Sequence, residues 1–281
     1  MEARSLDHIL TLPKKSRFAV IAEGLLLLAE HVGALHTALL CLHDRGETRG
    51  AAAIDALASE EAAKVLILLD VVRMGWSDQA AVGRQLKRFY SHLARGIYAR
   101  VVHGRPADRG EVRDYVDTLR QSHFLDGPGG VDWIFRNEVL SEREDSLYVD
   151  YVSTDGGDYW TTPANRTDYL SIGPSPIIEL AIALDRVGCL SLEGLHIMEA
   201  TWRGQTIEDN THWRVIEGIN RKVVDALNTA GLVTDRLTRN DVRLIYEQWT
   251  FPLGGIDLQK TPVAIIELRA RQDKWLADQD W

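Results

Sequence analysis

The 281-residue sequence has only two cysteines and no pattern typical of a secretion signal. Cys41 and Cys189 are too few for a disulfide framework and lack a CxxC spacing. Lys14 and Lys15 precede an apolar run, but no cleavage-like site follows it. These absences favour a reducing compartment, and we expect a cytoplasmic protein.

Motifs for cofactors and metals are also missing. The sequence has no P-loop, GxGxxG, GxSxG or HExxH motif. Glu193 and His196 form one Glu-x-x-His, whereas carboxylate-bridged di-iron bundles need two. We therefore expect no cofactor and no metal site.

Basic charge is scarce overall but concentrated in one segment. The net charge of −9 argues against a surface that coats nucleic acid generally. Residues 84–105 nevertheless contain six Lys/Arg and no acid. A basic stripe on an acidic protein indicates an anionic ligand, although a solvated helix face explains it equally well.

Apolar residues at three- and four-residue spacing predict helices along most of the chain. The run from Phe18 to Leu42 is interrupted by Glu23 and Glu30, so it is interpreted as amphipathic rather than membrane-spanning. The predicted helices cover 16–43, 50–73, 77–103, 111–123, 133–143, 176–188, 191–203, 211–230 and 238–249, and a last helix begins at Thr261 and Pro262.

A short stretch after residue 146 breaks the helical pattern. Leu147, Val149 and Tyr151 alternate with polar residues, and a turn-rich segment then leads to Tyr159 and Trp160, which predicts a β-hairpin. We therefore predict an all-α fold with three parts. These are a helical bundle at 1–145, a hairpin and connector at 146–175, and a C-terminal helical region at 176–281.

The predicted helix 50–73 carries charges in an alanine-rich and aliphatic setting. Glu60 and Lys64 are four residues apart, which favours an ion pair, and Glu61 points about 100° away. Charged groups in such surroundings are paired or face a groove. A groove role is favoured over a plain surface pair.

The predicted helix 77–103 supplies candidate partners. Arg88, His92 and Arg95 would share one face, with Arg84 and Lys87 beside them. A neutral histidine can move a proton and arginines can clamp a phosphate. A half-buried helix histidine without a catalytic role explains His92 equally well.

Three segments, in order, resemble a known family. Residues 51–64 resemble the alanine-rich Glu-Glu-x-x-Lys helix of the AbiV-like abortive-infection branch of the HEPN superfamily. Residues 89–95 resemble its Ser-His-x-x-Lys element, with Arg95 in place of lysine, and residues 143–151 resemble its Leu-Tyr-Val-Asp-Tyr segment, which contains Tyr148 and Asp150. The resemblance covers about 16–165.

The resemblance implies a helical bundle that commonly dimerises and serves antiviral defence or toxin systems. Many HEPN proteins are metal-independent endoribonucleases with an Arg-x(4–6)-His pair from each protomer at a dimer cleft. No arginine here has a histidine at that spacing. Three residues separate Arg88 from His92, two separate Arg100 from His103, and seven separate Arg95 from His103.

We therefore expect a phage-defence protein of HEPN type that acts as a metal-independent, endoribonuclease-like effector through a homodimer groove. His92 would be the acid or base, and Arg88 and Arg95 the phosphate clamps. The groove would be lined by Glu60, Glu61, Lys64, Lys87, Arg84, Tyr148 and Asp150.

Two alternatives remain open. The groove could bind a nucleotide, an RNA or a phage protein without cleavage, or the chain could be a helical scaffold whose basic stripe is a dimer interface. No membrane partner is expected.

Overall fold

The computed structural model describes residues 5–122, 137–154, 157–163 and 174–264, with a few positions after 265. The predicted loop at 126–130 lies outside the described residues, as does the first part of the predicted helix 133–143. The prediction that a last helix begins at Thr261 and Pro262 is wrong, because Thr261 forms a β-bridge with Gln121 and residues 262–264 are not helical.

The described residues form ten α-helices, a short 3₁₀ helix and one two-stranded antiparallel sheet, which confirms the all-α prediction with a small hairpin. The 3₁₀ helix covers Asp7–Thr11. The helices are α1 Lys14–Asp44, α2 Thr48–Met74, α3 Gln79–Arg88, α4 His92–His103, α5 Arg109–Leu119, α6 Glu138–Leu147, α7 Pro176–Arg186, α8 Leu192–Trp202, α9 Trp213–Thr229 and α10 Arg239–Gln248.

Helix α2 lies at the centre of the molecule. It packs against α1, α3, α4, α6, α7 and α8. Its alanines Ala58, Ala62 and Ala63 are fully buried, and their short side chains let neighbouring helices approach closely. The aliphatic run from Val65 to Leu69 is buried all round, as expected for a helix surrounded by others.

The predicted single helix 77–103 is wrong, because the structure divides it into α3 and α4. Helix α3 ends at Arg88, and Ser91 then caps α4 by accepting a hydrogen bond from the backbone N–H of Ala94. A serine N-cap satisfies one of the free donors at a helix start, so this site favours a new helix. Arg88 and His92 therefore belong to different helices.

Helix α1 has apolar residues on its exposed side as well as on its buried side, so it is less amphipathic than predicted. Phe18 and Leu25 are buried, whereas Leu26 and Leu27 are exposed. By length and composition α1 could cross a membrane, since an 18-residue window has mean hydropathy 1.8 and only 22% of it is buried. The interpretation that α1 does not span a membrane stays a prediction.

Strands β1 Asp150–Thr154 and β2 Gly157–Thr161 form the predicted hairpin. Tyr151 pairs with Trp160 across the strands, and Val152 pairs with Tyr159. Trp160 is 70% exposed, so the hairpin stands out from the bundle.

The C-terminal helices share one hydrophobic core with the N-terminal bundle. Helix α7 contacts α1, α2 and α4, and the segment after α10 returns to α2. There, the backbone N–H of Leu253 donates to the Asp70 carboxylate at 2.8 Å. The proposed boundaries at 145 and 176 stay a prediction, but both regions contribute to the same core.

Candidate functional site

Glu60 is the centre of a charged cluster between α2, α4 and α6. Glu60 lies on the alanine-rich part of α2 and is only 8% exposed. A carboxylate this deep in a protein needs charged or hydrogen-bonding partners. It has three: His92 and Arg95 from α4, and Arg143 from α6. We call these four residues the Glu60 cluster.

His92 is the member that reaches solvent. It is the first residue of α4, where the partial positive charge of the helix favours an anion. Both carboxylate oxygens of Glu60 lie 3.0 Å from Nδ1, and the imidazole side chain is 48% exposed.

The contacts of Nδ1 set the orientation of the ring. Arg95 Nη2 also lies 3.0 Å from Nδ1, but a guanidinium only donates and Nδ1 cannot donate and accept together. The two carboxylate oxygens favour a proton on Nδ1. The lone pair of Nε2 then faces away from Glu60 and is free to accept a proton.

The two arginines give the cluster a net positive charge. Arg95 Nη1 lies 3.2 Å from Glu60 Oε2, and Arg143 Nε donates to Glu60 Oε1 at 2.6 Å. One carboxylate and two guanidiniums leave a charge of +1 with His92 neutral. Partly buried positive charge favours a bound anion such as phosphate.

Arg143 was missed as a site residue in the sequence. It begins the third family-like segment, but nothing in its local pattern indicates a partner 83 residues away. Arg143 can reach Glu60 only because α6 packs closely on α4. At that contact Gly96 faces Val139, and a Cβ on Gly96 would overlap the Val139 side chain.

The Glu60–Lys64 ion pair that the four-residue spacing would allow is not formed. Lys64 Nζ instead contacts Glu61 Oε1 at 2.5 Å and lies 5.2 Å from the centre of the Phe89 ring. Glu60 faces α4 and α6, so the two adjacent glutamates serve different partners.

The expected face of Arg88, His92 and Arg95 is only partly present. Arg88 donates to Gln85 Oε1, to the carbonyl oxygen of Leu253 and to that of Ile256, so its guanidinium holds the C-terminal segment. Only Arg95 joins His92.

The rest of the basic stripe is dispersed by internal pairing. Arg100 pairs with Glu142 and Glu138 of α6, and Arg105 pairs with Glu247. Arg84 and Lys87 are exposed on α3. The stripe is therefore not one continuous surface for an anion.

Tyr148 and Asp150 lie where α6 passes into β1. Both are exposed, and within the described part of the chain no contact joins them to the Glu60 cluster. They are near it in sequence, because Arg143 precedes Tyr148 by little more than one helical turn.

A second polar cluster is fully buried between α2, α4 and the C-terminal segment. Asp70 accepts from Tyr98 Oη at 2.6 Å and pairs with Arg73 at 3.1 Å. Burial raises the pKa of the Asp70 carboxyl, while the Arg73 charge and the Tyr98 hydrogen bond lower it. Burial likewise raises the pKa of Tyr98 well above its usual value. The hydrogen bonds of this cluster join α2 to α4 and to the C-terminal segment.

In a comparison with known families, the family model HEPN_AbiV, described as AbiV, matches residues 20–169. This match covers more than half of the chain and includes all four members of the Glu60 cluster. No curated protein and no solved structure matches the chain.

Proposed function

Because the chain belongs to the AbiV family of HEPN proteins, a family of abortive-infection proteins, we propose that it is a metal-independent endoribonuclease-like effector of phage defence. In this proposal it acts in the cytoplasm as a homodimer and cleaves RNA in a groove that includes the Glu60 cluster.

The observation that carries the proposal is the half-exposed His92 imidazole held between Glu60 and Arg95. The sequence lacks the Arg-x(4–6)-His spacing, but Arg95 and Arg143 come within hydrogen-bond reach of the same carboxylate that orients His92. The required residue types therefore meet in space, although their spacing in the chain is different.

The chemistry follows from these groups. His92 Nε2 would take the proton of an RNA 2′-hydroxyl while its oxygen attacks the neighbouring phosphorus. The bond from phosphorus to the 5′-oxygen then breaks, and that oxygen takes a proton from a second acid or from water. Arg95 and Arg143 would stabilise the negative charge that develops on the phosphoryl oxygens. The products are a 2′,3′-cyclic phosphate and a 5′-hydroxyl.

The direct test is cleavage of a labelled single-stranded RNA in EDTA. We expect His92→Ala to lower cleavage at least 100-fold, because general acid–base catalysis typically contributes about 10²–10⁴-fold. His103→Ala is the matched control, since His103 is at the other end of α4. Equal cleavage by His92→Ala, with both variants folded by circular dichroism, would refute the role of His92.

A second candidate is binding without cleavage, to a nucleotide, an RNA or a phage protein. It is favoured by the pairing of both arginines with Glu60, which occupies part of the charge that a transition state would need. RNA binding that depends on Arg143, with no 2′,3′-cyclic product in EDTA or with divalent cations, would support this candidate over the first.

A further inference from the structure

The β1–β2 hairpin carries exposed aromatic side chains on both faces. Tyr151 and Trp160 are paired across the strands, with ring centroids 5.1 Å apart, so they share one face. Tyr159 precedes Trp160 in β2, so its side chain lies on the opposite face of the hairpin. Each of the three rings is more than half exposed. Exposed aromatic groups at this density indicate a binding surface.

The hairpin is joined to the Glu60 cluster by α6. Arg143 lies in the last turns of this helix, Tyr148 caps it, and β1 begins at Asp150. The rise of 1.5 Å per residue in a helix puts the end of α6 about 6 Å beyond Arg143. The chain from Leu147 to Tyr151 spans at most about 14 Å. Nucleotides a few positions from a phosphate at the cluster would then come within reach of the hairpin.

The chemistry of the hairpin differs from that of the cluster. Residues 150–161 contain no lysine or arginine and three acids, Asp150, Asp155 and Asp158. The hairpin is therefore unsuited to hold phosphates, but flat rings can stack with any nucleobase. The exposed apolar residues of α1 are aliphatic, which suits a protein surface, whereas those of the hairpin are mainly aromatic.

We propose that Tyr151 and Trp160 form a stacking platform for unpaired bases next to the phosphate held at the Glu60 cluster. The substrate class is then single-stranded RNA, because bases in a duplex are already stacked and paired. This inference rests on the proposed function, in that it takes the ligand of the cluster to be RNA.

The test compares the affinity of the full-length protein for a 12-nucleotide single-stranded RNA at several salt concentrations. Loss of one stacking ring should weaken binding about 5- to 100-fold, so we expect this for Trp160→Ala, while Trp160→Phe should retain most of the affinity. The salt dependence of Trp160→Ala should be unchanged, because the ring neutralises no phosphate. Arg143→Gln should instead lower the slope of log affinity against log salt by about 0.7.

Tyr115→Ala is the control for loss of an exposed ring elsewhere, since Tyr115 is on α5. The inference is overturned if Trp160→Ala binds like the wild type, or if a blunt RNA duplex binds as tightly as the single strand. It is also overturned if Trp160→Ala changes the oligomeric state, which would make the hairpin a contact between copies. Trp160-dependent binding without any cleavage would leave the platform in place and refute only the proposed catalysis.

Discussion

At the scale of single residues, the site depends on which of two adjacent glutamates faces inward. The sequence identifies Glu60 and Glu61 as a charged pair on a helix with few other charges, and helical spacing then assigns Lys64 to Glu60. The structure gives Lys64 to Glu61 and gives Glu60 to His92, Arg95 and Arg143. Local spacing could not decide this, because the partners of Glu60 come from distant segments.

Substituting Glu60→Gln should both destabilise the protein and impair RNA cleavage. Two guanidiniums would lose their carboxylate in a partly buried site, and we expect the free energy of unfolding to fall by about 3 kcal/mol. His92 would also lose the group that fixes its proton on Nδ1, so kcat should fall more than KM changes. Urea unfolding and steady-state cleavage of a labelled RNA measure the two effects.

Glu61→Gln is the matched control for stability, because it removes the same charge one position away. Its ion pair with Lys64 is about one-fifth exposed, and we expect a loss of about 1 kcal/mol or less in the same urea titration. Equal losses for the two variants would mean that Glu60 does not have the special role given to it here.

At the scale of helices, most elements could be predicted from apolar spacing, and the error that affects the site concerned a helix junction. No proline or glycine marks the end of α3, so residues 77–103 read as continuous. The break follows from the Ser91 cap and from Arg88, which turns toward Leu253 and Ile256 in the C-terminal segment. An interaction across 165 residues leaves no mark on the local pattern.

The contact between α4 and α6 leads to a prediction about how Arg143 is positioned rather than about its chemistry. Gly96→Ala would place a methyl group against Val139 and push α6, with Arg143, away from Glu60. The overpacking costs about 1–3 kcal/mol, and alanine favours a helix by about 1 kcal/mol over glycine, so the free energy of unfolding should fall by no more than about 2 kcal/mol. RNA cleavage should fall about tenfold or more.

The double variant Gly96→Ala/Val139→Ala restores the space and should recover most of the cleavage lost by Gly96→Ala. Val139→Ala alone serves as the control for the cavity that it creates. If Gly96→Ala cleaves RNA at the wild-type rate, close approach of the two helices is not what positions Arg143.

At the scale of the whole molecule, the sequence indicates the family segments but not how the C-terminal hundred residues relate to them. The structure joins the two parts through one core, and the Asp70, Arg73 and Tyr98 cluster ties α2 and α4 to the segment around Leu253. The helices that carry the Glu60 cluster are therefore held partly by residues outside the family match. Such long-range packing cannot be inferred from periodicity.

The last prediction concerns the exposed side of α1, which carries Val20, Leu26, Leu27 and Leu40 around the two acids Glu23 and Glu30. A 31-residue helix is about 45 Å long, enough to pair with the same helix of a second copy along much of its length. We expect the protein to be a dimer in sedimentation velocity experiments and Leu26→Asp/Leu27→Asp to be a monomer, because the two aspartates would add to the negative charge of Glu23 and Glu30 on this side of α1 and would be buried unpaired in the interface. Leu192→Asp, at an exposed leucine of α8, should leave the dimer intact. A double variant that remains dimeric would place the interface elsewhere. A monomeric wild type that binds lipid vesicles through Leu26 and Leu27 would instead make this side of α1 a membrane contact.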